Sequence, residues 1–161
     1  MKNLFQIAVC LLACSCFQKG GDAGSTATFS ETDVRSSWVQ LTDQDGKWVI
    51  FEPCEATNLK LSWKADTLII EWGQFASMDV IHRIASERNA FSLEGTDNSS
   101  DPPNHTFRVE PVDSVTGLAR WWLMDEKEPR LLVKESMKSS YTTIKESCDD
   151  FFEKTKEDSI H

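Results

Sequence analysis

The sequence predicts a mainly β domain: an antiparallel up-and-down meander of about eight strands, closed as a barrel or folded as a sandwich, with one C-terminal α-helix. Three observations predict it. Short runs of β-branched, aromatic and aliphatic residues recur at regular spacing from Trp38 to Glu135. Turn residues punctuate them. The tail then changes its apolar period from two to near four.

The elements follow in chain order. Trp38 to Leu41 is a first short strand, and Asp45-Gly46 suits the positive φ angles of a tight hairpin into Lys47 to Pro53. Asn58 to Trp63 alternates, with Leu59, Leu61 and Trp63 on one face and Lys60 and Ser62 on the other. Lys64-Ala65-Asp66 turns the chain into Thr67 to Trp72, where Leu68, Ile70 and Trp72 share a face. Met78 to Glu87 sets Val80, His82 and Ile84 against Asp79, Ile81 and Arg83. Phe91 to Glu94 is short, and GTDNSSDPPN from Gly95 to Asn104 reads as a loop. Thr106 to Val112, Gly117 to Met124 and Arg130 to Glu135 complete the set. Trp121 and Trp122 are adjacent, so they must point to opposite faces of their strand. From Ser139 to Lys156 the residues Tyr141, Ile144, Cys148, Phe151 and Phe152 stand near helical spacing, which predicts an amphipathic helix on the outside of the sheet.

The 161 residues suffice for one domain plus a targeting segment. Lys2 precedes a short apolar run from Leu4 to Ala13, well below the ~20 residues of a membrane span, so residues 1–15 read as a secretory signal. The small residues followed by cysteine resemble the lipobox of bacterial lipoproteins. That resemblance implies cleavage before an acylated cysteine, and hence a lipid anchor in the bacterial cell envelope. Cys16, after Ala13 and Ser15, and Cys14, after Leu11 and Ala13, both fit. Parity favours Cys16, because Cys54 and Cys148 then remain as an even pair. Residues 16–35, rich in Gly, Ser, Thr and Ala, read as a flexible tether to a domain over 36–161.

In an oxidising exported compartment Cys54 and Cys148 are expected to form a disulfide, stabilising the fold by roughly 2–4 kcal/mol. The formal charge of −9 and the lack of a basic cluster argue against nucleic acid as a partner and leave a cationic protein as the easier one. Asp43, Asp45, Gly46 and Glu52 match part of a calcium loop, but Leu41 stands at its first ligand position, so a hairpin turn is the reading. His82, His105 and His161 show no metal-ligand spacing, and no hydrolase, zinc-protease or phosphate-loop motif occurs. No cofactor and no catalytic residues are implied.

An anchored meander of this kind with a helix after its last strand resembles the lipocalin-like superfamily. Trp38 is similar to that family's early Trp, and Arg130 to the Arg that caps it from the last strand. A Cys54–Cys148 link resembles the staple some members use. Ser36 stands where the family has Gly. The resemblance implies an interior pocket for a small apolar or amphipathic ligand, open at one end, with Trp63, Ile70, Trp72, His82, Phe107 and Val109 on its wall. Two functions are therefore expected in competition. One is a non-enzymatic binding lipoprotein; the other is an inhibitor or immunity lipoprotein that blocks a basic wall-degrading enzyme.

Overall fold

The computed structural model describes residues 28–97, 104–124 and 126–148. Residues 1–27, with the expected signal, the acylated cysteine and most of the tether, lie outside them, as do 98–103 of the loop and 149–156 of the expected helix.

Eight antiparallel strands close into a barrel. In chain order its strands are β1 (Trp38–Gln40), β4 (Thr57–Lys64), β5 (Thr67–Gly73), β6 (Phe75–Ser86), β7 (Phe91–Asp97), β8 (Asn104–Asp113), β9 (Leu118–Trp122) and β10 (Arg130–Lys134). Between β1 and β4 the chain leaves the barrel as a hairpin, β2 (Thr42–Gln44) and β3 (Lys47–Glu52). β1 itself pairs with both β4 and β10 and closes the ring. The expected second strand, Lys47 to Pro53, is therefore not a barrel stave. It belongs to a separate three-stranded sheet.

That sheet corrects the expected C-terminal helix. Glu135–Ser140 is a 3-10 turn, and Thr143–Lys145 forms β11, which runs parallel to β3 with Ile144 opposite Phe51. Helical backbone is present at Cys148, the last described residue. The satellite sheet covers the outer face of β1 and β10, where Val39, Leu41, Ile50 and Val133 form a second buried cluster with Met137 and Tyr141 against it. Without this cover, Val39 and Val133 would be exposed on the outside of the barrel, since their neighbours in sequence point inward. The Cys54–Cys148 disulfide is present and ties the end of β11 to the loop after β3.

Turn chemistry is as expected at the hairpin. Asp45 and Gly46 both have positive φ, and the Gly46 N–H donates to Asp43 Oδ1 at 2.8 Å. Asp43 thus serves the turn.

One end of the barrel is plugged. Helix α1 (Glu31–Val34) starts at Ser30, whose N–H and hydroxyl both donate to Asp33 Oδ2. Val34, fully buried, sits in the core among Trp38, Leu61 and Trp121. Its carbonyl lies at the helix end, where no intrahelical donor reaches it. The indole N–H groups of Trp38 and Trp63 both donate to it, at 3.2 and 3.1 Å. Phe29 packs on Trp38 and Phe91, and Lys134 pairs with Asp33 over the Phe29 ring. Phe29 and Val34, in the segment expected as tether, thus pack on the barrel core.

Candidate functional site

The other end is open. Leu59 on β4, Ile70 and Trp72 on β5, Leu123, Met124 and Glu126 after β9, and Arg130 at the start of β10 surround a cavity of about 430 Å³. Its floor is apolar because Leu59, Ile70 and Leu123 all reach the buried core. Its rim is polar. The Arg130 guanidinium bonds both oxygens of Glu126 and reaches Gln40 Oε1 at 3.3 Å. Those bonds to Glu126 push the Arg130 pKa above its ordinary value, against the opposing effect of partial burial. Trp72 and its cross-strand neighbour Phe75 stand at the same rim, and Phe75 is 72% exposed.

The expected wall residues separate by height. Ile70 and Trp72 line the cavity. Phe107 and Val109 point inward but are packed into the filled core. Trp63 is at the plugged end, held by Val34 and covered by the Arg35 guanidinium. His82 points outward, and its Nε2 lies 3.9 Å from Glu94. Asp79 and Ile81 are the inward residues of this part of β6, so Val80 and His82 share the outer face by simple alternation. A register shift between Ile81 and Arg83 then brings Ile84 alone of the expected trio against the core. Arg130 is likewise not over Trp38. Lys134 is the residue opposite Trp38, and Arg130 is opposite Trp121, one turn of the pleat nearer the mouth. Trp121 is fully buried while Trp122 faces out under Arg108, as adjacent strand residues must.

The structure also assembles a cluster that the sequence reading left scattered. Asp79 on β6 and His105 on β8 meet across β7, with Nδ1 and Oδ1 at 2.6 Å. Gly95 is the β7 residue between them, paired with Ile81 on one side and His105 on the other. A Cβ there would lie 2.6 Å from Ile81 Cδ1 and 3.4 Å from Asp79 Cβ, so only glycine leaves the crossing open. Asp79 has no exposed surface. Burial pushes its carboxyl pKa up, the His105 hydrogen bond and charge pull it down, and the neighbouring Asp97 pushes it up again; the net direction is upward. Among the described residues, Asp79 Oδ2 and the hydroxyl of Ser77, two residues away on the same face, are buried without a hydrogen-bond partner. Because the Ser77 hydroxyl is unbonded, Ser77, His105 and Asp79 do not form a nucleophile–base relay.

A second recess, about 500 Å³, lies outside the barrel between β3, β4 and Tyr141, with Glu52, Lys60 and Lys138 on its edge. It is bounded by the satellite sheet and not by the barrel interior. Compared with protein-family models, with curated proteins and with solved structures, the chain shows no match to any of them.

Proposed function

We propose that this chain is a lipid-anchored, non-enzymatic binding protein of the bacterial envelope, whose barrel mouth takes one small amphipathic ligand. The observation that supports it is the asymmetry of the barrel. One end is sealed by α1, and the other holds an apolar-floored cavity of about 430 Å³ beneath a polar rim. That volume falls within the ~300–1,000 Å³ typical of small-molecule sites. An apolar body fits against Leu59, Ile70 and Leu123, while a polar end meets the rim. The resemblance to lipocalin-like barrels and the lipobox-like amino terminus support the same reading.

Trp72 is the reporter. Titration with medium-chain amphiphiles is expected to change its fluorescence saturably, and Trp72→Phe is expected to remove most of that signal. Calorimetry that finds no binding across acids, alcohols and amines of eight to twelve carbons rejects the proposal. The inhibitor reading draws on a different observation, the exposed aromatics Phe75 and Trp48 on an acidic molecule. Tight, salt-sensitive binding to a lysozyme-like enzyme, abolished by Phe75→Asp, would favour it instead.

A further inference from the structure

We infer that the wall of β6, β7 and β8 carries the polar half of the site, where Asp79 and Ser77 receive the hydrogen-bond-donating head of the ligand. The inference rests on the mouth being a ligand site, and it specifies the chemistry of the occupant.

Four observations lead there. First, Asp79 Oδ2 is a fully buried acceptor with no donor, and Ser77 Oγ is a buried hydroxyl with no partner. Such groups are rare because each retains its desolvation cost. Second, both belong to the inward face of one strand, two residues apart, so their Cβ atoms are roughly 7 Å from one another along β6. Third, Ser77 stands beside the cavity wall, with Asp79 one inward position deeper, opposite Leu68. Ser77 is the direct cross-strand partner of Ile70, which lines the cavity wall, and direct partners lie about 5 Å apart at Cβ. Fourth, Gly95 lets β7 run close against Asp79 and Ile81, so that Asp79 reaches His105 on the far strand.

The charges define the head group. The groups that face the Asp79 carboxyl are His105 on β8 and Asp97, its partner on β7. With two carboxyl groups against one imidazole, acidic groups outnumber basic ones at this corner. An ionised carboxylate only accepts, so the complementary head must donate. A primary ammonium supplies both donors and charge. A hydroxyl supplies a donor alone. A carboxylate head supplies neither and meets like charge. The occupant is therefore an alkyl or aryl amine or alcohol, in that order, and not a fatty acid.

Calorimetric titration of the purified protein at pH 7 with decylamine, decanol and decanoate tests this. Decylamine is expected to bind at least about tenfold more tightly than decanoate. Asp79→Asn is expected to collapse that ratio, because the amide offers a donor to the carboxylate and no charge to the amine. Ser77→Ala gives a second reading should Asp79→Asn fail to fold: decanol affinity is expected to fall about threefold to tenfold. Equal or tighter binding of decanoate overturns the inference while leaving the mouth a ligand site. So does a head-group preference that Asp79→Asn leaves unchanged, or, where that variant does not fold, a decanol affinity that Ser77→Ala leaves unchanged. Absence of binding by all three compounds overturns both readings together.

Discussion

Removing the disulfide should reveal how the satellite sheet is held. The bridge spans a sequence separation of 94 residues and encloses β4 to β11. The chain-entropy relation for a loop near 100 residues gives about 4.7 kcal/mol of stabilisation, and native bridges typically deliver roughly 2–5. Native contacts near the bridge are few. β11 is three residues long and mostly exposed, held by its short ladder on β3. At its two ends the Ile50 N–H donates to the Thr142 carbonyl, and the Glu146 N–H to the Glu52 carbonyl. The Glu146 carboxylate also accepts from the Cys54 N–H at 3.0 Å. We therefore expect Cys54→Ser/Cys148→Ser to lose about 3 kcal/mol in urea unfolding, chiefly through a lower midpoint. Hydrogen exchange should show the Ile50 and Glu146 amides exposed first, because detachment of β11 then needs no barrel unfolding. A loss below ~1 kcal/mol with both amides still protected would refute the reasoning. It would mean that β11 is held by its own packing and that the bridge is incidental.

Two buried or half-buried aspartates should give pH dependences of opposite sign. Asp33 is pushed up by burial but held below its ordinary value of 3.8 overall by hydrogen bonds from Lys134 and Ser30 and by the Lys134 charge. Its contribution is present above pH 3.8 and lost as pH falls through the native value, so melting curves should show wild type above Asp33→Asn at pH 6 and level with it in strong acid. Asp79 is raised above 3.8, so its contribution is present below that pH and lost as pH rises through the native value. Asp79→Asn should accordingly melt above wild type at pH 7, and the two should converge below pH 3.8; a lower melting temperature at pH 7 would contradict the assignment. Gly95→Ala places a methyl 2.6 Å from Ile81 Cδ1 and is expected to cost about 1–3 kcal/mol by overpacking, measured by chemical denaturation. The same variant should change the His105 imidazole NMR signals, as the Asp79–His105 contact opens.

Much of the barrel is legible because alternation in a half-buried strand is a direct physical signal. Leu59, Leu61, Leu68 and Ile70 share faces in the sequence and are all buried in the same core. The tail misleads for a definable reason. Tyr141, Ile144 and Cys148 fall three and four apart, but Thr142, Thr143 and Ile144 are β-branched, and the chain there lies against the free edge of β3. Pairing to that edge outweighs the period. Val80 and His82 share a face as their alternation implies, but it is the outer one; Ile84, turned inward by a bulge with no local signature, lends that face a false apolar character. α1 carries a signal of its own in the sequence. Ser30 followed three residues later by Asp33 matches the pattern of a capping box within a segment whose composition suggests only a tether. The Asp79–His105 contact was illegible from either residue alone. His105 adjoins a Gly-, Ser- and Pro-rich loop, and Asp79 reads as one polar residue of an alternating run. Only the three-strand register through Gly95 brings them together.

The interior of the barrel is graded, and the gradient coincides on neighbouring strands. Along β6 from mouth to plug the inward residues are Ser77, Asp79 and Ile81; along β8 they are His105, Phe107 and Val109. Each strand passes from polar to apolar in the same direction. A narrow barrel selected for stability alone would continue its Leu, Ile and Phe packing to the rim, since a buried unpartnered carboxylate oxygen opposes folding. The plugged end shows that this chain can meet such needs. There the Val34 carbonyl, the orphan of a helix end, receives two indole donors, and Lys134 receives Asp33. Among the described residues the buried polar atoms without a partner are Ser77 Oγ, Asp79 Oδ2 and the Trp121 indole nitrogen, the last of them inside the filled core. Of these, Ser77 stands opposite Ile70 of the cavity wall, so it is at Ser77 that a ligand's polar end can first reach an unpartnered group.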